Sequence, residues 1–237
     1  MKKACYKDWT FVSLGCDCET DFRFRHYNKN IRSFFFSYAS ILDPFSFIDV
    51  LQNIDSPLDE TFEPFKTGMM RSVTDSLCFH VKGNREWPIT HFSSESEAFL
   101  SRLRHLKEKT NQLFENENSH IVFVQKVPYH WISQSYFTAL LRALDSAVRG
   151  DFRIVVVTEK QYQKDCLRYL PVDKRLLVEG VKHFDIPTKR GDLWGWLRIC
   201  RKYSSGSALR YIFSASPFLR NRILPLLFRL RRLAKGA

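Results

Sequence analysis

The sequence predicts an α/β fold: three layers, with a mostly parallel sheet flanked by helices, followed by a basic C-terminal helical tail. Three observations carry this expectation. Short apolar runs alternate with amphipathic stretches over about residues 8–203. The run Ile154-Val155-Val156-Val157 is continuously β-branched, as in a strand covered on both faces. The segments between successive strands have helical length and period, which right-handed crossovers between parallel strands require.

The elements follow in order. Thr10–Leu14 reads as a buried strand and Cys18–His26 as the helix behind it. Ser33–Phe36 reads as a short aromatic strand. Asp43-Pro44 marks a helix start, with Asp as cap and Pro at the first helical position, and the helix runs to about Gln52. Residues 55–75, with Pro57, Pro64 and Gly68, read as irregular; Leu77–Val81 is a strand and Gly83–His91 a loop. Between Ser94 and Phe114, Phe99, Leu103, Leu106, Thr110 and Leu113 recur at three and four residues, so a long helix is predicted. Ile121–Gln125 is a strand, Gln134–Arg149 an amphipathic helix, Phe152–Thr158 a strand and Gln161–Tyr169 a helix stopped by Pro171. Leu176–Val178 closes the set of strands, and Asp192–Tyr203 the set of helices. One α/β domain over residues 1–205 and a tail over 206–237 are expected.

Charge divides the chain slightly earlier, at Asp192. Asp192 is the last acidic residue, and ten of the 37 basic residues follow it. The first 192 residues are therefore almost neutral, and most of the net charge of +12 lies in the ten basic residues after Asp192. The six cysteines are irregularly spaced in a chain too long to need disulfide staples. No apolar leader precedes the first strand, and no run reaches the ~18 apolar residues that span a bilayer. These features predict a cytoplasmic protein with reduced thiols.

Chemistry in such sheets collects beyond the carboxyl ends of the strands. That rule selects Gly15–Cys18, Ser37-Tyr38, Lys126–His130, Thr158-Glu159 and Val181–Asp185. Cys18 is the candidate nucleophile, because unpaired N–H groups and partial positive charge at a helix start favour a thiolate. Backbone N–H groups over Gly15, Cys16 and Asp17 would receive an oxyanion. Cys16 and Cys18 also suit plain packing roles, since free cysteine is commonly buried. A thiolate needs a proton carrier; His91, in a loop, and His183, just after the last strand, are the candidates. Asp185 and Asp192 could orient the base, and Asp192 could equally be an ordinary helix cap. No further Cys or His pair completes a four-ligand zinc set with Cys16 and Cys18, so no metal and no cofactor are expected.

Ser13-Leu14-Gly15-x-x-Cys18, the Arg-containing helix behind it, the aromatic stretch and a downstream loop histidine resemble a family of bacterial proteins described as papain-like cysteine peptidases. Several of its members accompany surface-polysaccharide biosynthesis genes. The resemblance covers most of residues 10–200. It implies that Cys18 is the family cysteine and that His91, in Pro88-Ile89-Thr90-His91-Phe92, is its histidine. The family's Pro-Phe-Asp-Trp stretch stands here as Phe35-Phe36-Ser37-Tyr38, without the Asp. Papain itself pairs a helical domain with a barrel-like one, whereas this chain alternates strands and helices. A nucleophile after strand one and Asp192-Leu193-Trp194 near the end look more similar in architecture to SGNH-type hydrolases.

In the tail, Leu219, Ile223, Leu226, Leu230 and Leu233 share a helical face flanked by Arg220, Arg222, Arg229, Arg231 and Arg232, with Pro225 kinking the middle. That pattern suits an anionic membrane surface, so a peripheral position on the inner face of the membrane is expected. No nucleic-acid motif accompanies the charge. Three function classes remain: a cysteine-dependent hydrolase at the membrane; a sugar-modifying or glycosyl-transferring enzyme of lipopolysaccharide or capsule assembly; and a non-enzymatic peripheral scaffold. The second lacks both a Gly-rich phosphate loop and an Asp-x-Asp motif.

Overall fold

The computed structural model describes residues 6, 8–16, 19–58, 61–66, 69–74, 77–80, 94–184, 191–208 and 211. It is an α/β protein with two sheets rather than one. Strands β1 (Thr10–Ser13), β6 (His120–Lys126), β7 (Asp151–Glu159) and β8 (Leu176–Val181) form a wholly parallel sheet in the order β1-β6-β7-β8. Strands β2 (Ala39–Ile41), β3 (Phe62–Lys66), β4 (Met69–Ser72) and β5 (Leu77–His80) form an antiparallel sheet in the order β2-β5-β4-β3. The expectation of a single mostly parallel sheet is corrected accordingly. The antiparallel sheet is an excursion between β1 and β6.

Among the described residues there are six α-helices: α1 (Glu19–Tyr27), α2 (Pro44–Gln52), α3 (Ser94–Glu115), α4 (Gln134–Ala147), α5 (Gln163–Tyr169) and, after the last strand, α6 (Leu193–Tyr203). Their starts follow local chemistry. Asp43 accepts the Ser46 N–H at 2.6 Å to cap α2, with Pro44 at the first helical position. Ser133 caps α4 through the Tyr136 N–H at 3.2 Å.

Alternation along the parallel strands divides the core in two. Val12, Ile121, Phe123, Ile154 and Val156 point to the face covered by α3, α4 and α5, and the antiparallel sheet and α2 join this larger core. Phe11, Val122, Val124, Val155 and Val157 point to the face covered by α1 and α6. Helices thus lie on both sides of the parallel sheet. Tyr211 is fully buried in the second core, and the Ser207 N–H reaches the Tyr27 carbonyl at 3.0 Å. Gly206, Ser207 and Tyr211, beyond α6, therefore pack against Tyr27 of α1.

Two local readings are revised. The aromatic stretch 33–36 is not a strand. Phe35–Tyr38 is a 3₁₀ turn, with the strand following at Ala39–Ile41. Thr110 of α3 fixes it: its hydroxyl accepts the Phe35 N–H at 3.0 Å and donates to the Leu106 carbonyl at 2.7 Å. Lys109 donates to the Ser33 carbonyl at 2.7 Å. Ser37 thus precedes an antiparallel strand and does not share the carboxyl edge of the parallel sheet. Residues 62–66 and 69–72, read as irregular, are strands β3 and β4. Pro64 misled the reading; the β3–β4 register shifts between Pro64 and Lys66, an irregularity of the kind that admits proline.

Candidate active site at the carboxyl edge of the parallel sheet

β1 ends in a turn that few sequences tolerate. Gly15 has φ +82° and Cys16 has φ +81°; among the described residues Cys16 is the one non-glycine with positive φ. A side chain in that region costs about 1–3 kcal/mol and is held only where neighbours over-determine it. At position 15 two constraints coincide. The φ favours glycine, and a Cβ there would lie 3.2 Å from the Ala39 carbonyl oxygen and from Ile41 Cδ1 of β2. The antiparallel sheet therefore presses on the turn from one side. Cys16 is half-buried and packs against the larger core. Asp17 and Cys18 lie outside the described residues, as do His91 and Asp185.

The helix after the turn is anchored on the other face. Glu19, the first residue of α1, is buried and accepts from Lys126 Nζ at 3.2 Å, from Trp196 Nε1 at 2.9 Å and from Arg23 at 3.3 Å. Lys126 ends β6, and Trp196 lies in the first turns of α6. Three elements thus converge on one carboxylate beside position 18. The Phe184 ring lies 4.7 Å from Lys126 Nζ, and the Phe184 N–H donates to Glu159 Oε1 at 3.2 Å. The segment after β8 is thereby folded back over the ends of β7 and β6. Two residues further along α1, Asp21 pairs with Arg25, which also reaches Ser33. Burial pushes the Asp21 carboxyl up, against the pull of Arg25 and Ser37.

His183 and Asp192 meet at the same edge. The Asp192 carboxylate accepts the Lys182 N–H at 2.7 Å and the Gly195 N–H at 2.9 Å, so it caps α6 while tying the helix to the end of β8. Gly195 makes this possible, since a Cβ there would run into that carboxylate. Burial alone would push the Asp192 carboxyl up; the two N–H groups, Lys160 and His183 outweigh it and hold the group below its usual range. The His183 imidazole is therefore within electrostatic reach of Asp192, and its Nδ1 is shielded from solvent with no hydrogen-bond partner among the described residues. Asp192 fills the capping role that its position predicts and stands beside one of the two candidate bases.

On the opposite face lies a polar group that the sequence reading passed over. Gln125 near the end of β6, Thr158 near the end of β7 and Tyr136 on α4 are all fully buried. Thr158 Oγ1 makes no hydrogen bond among the described residues, and the Tyr136 hydroxyl is within hydrogen-bonding reach of the Gln125 side chain. Tyr136 lies against Gln125 and close enough to Cys16 to feel a charge on its sulfur. Burial pushes the Tyr136 phenol far up, so it stays neutral. A sequence signal exists: the buried runs of β1, β6 and β7 end in polar Ser13, Gln125 and Thr158 instead of further aliphatics. The Glu19–Lys126–Trp196 cluster has a weaker signal, because charged residues at element ends usually point to water.

The other described cysteines differ from Cys16. Cys78, Cys166 and Cys200 are fully buried. Burial pushes the Cys166 thiol up to about 12 and the Cys200 thiol well above its ordinary value. Arg220, Arg222, Arg229, Arg231 and Arg232 lie outside the described residues. No described helix is long and apolar enough to cross a membrane. Among the described residues no three His, Cys, Asp or Glu side chains come together as a metal site would require.

No family model, no curated protein and no solved structure matches the chain. Its fold and the geometry at the sheet edge therefore carry the functional reading.

Proposed function

We propose that this protein is a cysteine-dependent hydrolase with its nucleophile at the β1–α1 turn, in keeping with the resemblance of Ser13-Leu14-Gly15-x-x-Cys18 to the papain-like cysteine peptidases. The observation that supports it is the left-handed backbone of Cys16, three residues past the end of parallel strand β1 and three before the start of α1. Strained non-glycine residues concentrate at functional sites, and a strained strand-to-helix turn is one way to present a nucleophile.

In this reading the Cys18 thiolate attacks a carbonyl carbon. A carbon–sulfur bond forms as the carbonyl π pair moves to oxygen, where N–H groups of Gly15, Cys16 and Asp17 receive it. The imidazole holding the thiol proton passes it to the leaving group as that bond breaks. Water then cleaves the thioester, regenerating the thiol. His183 serves as proton carrier with Asp192 or Asp185 orienting it; His91 is the histidine implied by the family resemblance. Lys126 and Arg23, held around Glu19, add positive potential near the start of α1, which favours a thiolate. The arginines of the tail hold the enzyme at an anionic membrane surface on the cytoplasmic side.

The test is alkylation of Cys18 by iodoacetamide across pH, followed by peptide mass spectrometry. An activated thiol reacts with a midpoint at least one pH unit below ~8.5. A midpoint at the ordinary value ends the nucleophile assignment. Flotation with anionic vesicles, comparing the full chain with a truncation after Tyr211, tests the tail; equal flotation removes its membrane role.

A further inference from the structure

We propose that the outer edge of β8 is a docking site for an extended acidic segment of a partner protein, which joins the parallel sheet as a fifth strand. The inference goes beyond the hydrolase reading and does not depend on it.

The edge follows from strand order and register. β8 ends the order β1-β6-β7-β8, so it pairs with β7 on one side alone. The Ile154 N–H donates to the Arg175 carbonyl at 2.9 Å, which turns the backbone groups of residues 175, 177, 179 and 181 towards β7. Those of Leu176, Val178 and Gly180 therefore point outward. The Leu176 N–H turns back to the Asp173 carbonyl at 3.1 Å, and the Gly180 carbonyl accepts from Arg198 at 2.7 Å. The Leu176 carbonyl, the Val178 N–H and carbonyl, and the Gly180 N–H have no partner among the described residues. An added strand of five residues meets all four, whichever way it runs. The side chains agree: Leu176, Leu177 and Val178 are half-buried, whereas Ile154–Val157 of β7 are fully buried.

Charge selects the occupant. Lys174 before the strand, Lys182 after it and Arg198 beside Gly180 are exposed. The carboxylate among them, Glu179, is already taken by Lys202 at 2.5 Å and by the Tyr203 hydroxyl at 2.9 Å. A second copy of β8 is the wrong partner, because antiparallel pairing about Val178 sets Lys174 against Lys182, and like charges directly opposite are destabilising. The lysines that keep two copies apart attract an acidic strand. Leu176 and Val178 lie on the face of the larger core, and Leu177 and Glu179 on the face of α6. Residues opposite one another share a face. The partner's side chains opposite Leu176, Val178 and Gly180 are therefore apolar, and those opposite Leu177 and Glu179, beside Arg198 and Lys202, are acidic. Main-chain hydrogen bonds supply the affinity and this alternation supplies the specificity.

The probe is a capped, fluorescein-labelled Val-Glu-Val-Glu-Val peptide, titrated with full-length protein and followed by fluorescence anisotropy. Saturable binding is expected. The same peptide N-methylated at its three central residues should not bind, nor should Val-Lys-Val-Lys-Val. Val178→Pro removes one outward donor and leaves the ladder with β7 intact, so it should weaken binding about 10-fold, with circular dichroism checking the fold. Arg198→Gln should narrow the preference for the glutamate peptide over its glutamine counterpart. In the unaltered protein, bound peptide should slow amide exchange at Val178 and Gly180, read by nuclear magnetic resonance. No saturation up to ~1 mM, equal binding of the N-methylated peptide, or unchanged exchange at both amides would overturn the proposal. A concentration-dependent dimer in sedimentation that Val178→Pro abolishes would also overturn it, by assigning the edge to a second copy.

Discussion

Replacing Glu19 by leucine tests whether the carboxylate that joins α1, β6 and α6 organises the site. The Glu19 and Lys126 side chains are 5% and 7% exposed, so the pair lies in protein rather than water. Removing one partner of a buried ion pair costs about 3–5 kcal/mol, because the remaining charge keeps its desolvation penalty. The lost indole bond at 2.9 Å belongs to the same acceptor and is not added separately. In a chain of 237 residues a urea slope near ~3 kcal/mol/M turns this into a midpoint lower by about 1–1.7 M, with the slope itself unchanged. Urea melts followed by far-ultraviolet circular dichroism measure it. The double variant Glu19→Leu with Lys126→Met removes the stranded ammonium and should recover at least ~2 kcal/mol. A single-variant loss below ~1 kcal/mol, or a double variant no better than the sum of the singles, would show that the convergence is incidental.

The turn supplies a second test. Gly15→Ala should lower stability by about 1–3 kcal/mol through its φ and the crowding from β2, whereas Cys16→Gly should raise it by up to ~1 kcal/mol in a thermal melt. Asp192→Ala should cost about 0.5–2 kcal/mol at neutral pH by uncapping α6. Because the folded-state Asp192 carboxyl is depressed, its contribution is present above the unfolded value near ~3.9 and is lost as pH falls through the folded value. The stability gap between Asp192→Asn and the unaltered protein should therefore narrow only below about pH 4 in acid melts, and a gap closing near neutrality would point to His183 instead. In native protein at pH 7.5, Ellman's reagent should leave Cys78, Cys166 and Cys200 unmodified until denaturant is added, because all three are fully buried and burial also raises the Cys166 and Cys200 thiols.

Much of the fold is legible locally. The β-branched run 154–157 is a central strand, the Asp43-Pro44 cap starts α2, and the 3.6-residue period of the long helix holds over Ser94–Glu115. What escapes is the antiparallel sheet. Its strands β2, β4 and β5 have three or four residues each, too few for a period to register, and Pro64 stands inside β3. The aromatic stretch is set by Thr110 and Lys109, about 75 residues away, and nothing local reports such contacts. At the site, Gly15, Cys16, His183 and Asp192 stand at the predicted edge because topology puts them there. Glu19 and Lys126 look like ordinary surface charges in sequence. Only the crossing of α6 over α1 and β6 buries them together, and the partner indole lies 177 positions from Glu19.

The two faces of the parallel sheet account for how a strained turn persists. Cys16 holds a conformation that costs about 1–3 kcal/mol, so something must prevent relaxation towards an ordinary strand-to-helix joint. On one side, Ala39 and Ile41 of the antiparallel sheet close on Gly15 and leave no room for the backbone to swing. On the other, Glu19 is bound to Lys126, Arg23 and Trp196, which fixes where α1 begins. With both ends held, the three residues between Gly15 and Glu19 must span a fixed gap, and the left-handed pair at 15 and 16 begins that path. The excursion between β1 and β6 thus has a physical role at the site: its first strand is one jaw of the clamp. Loosening either jaw should relax the turn. Glu19→Leu and Ile41→Ala should therefore both change Cys16 alkylation kinetics, although neither side chain is proposed to touch the reagent. If the rate at Cys16 is indifferent to both substitutions in protein that remains folded, the turn is held by its own sequence and the two jaws serve stability alone.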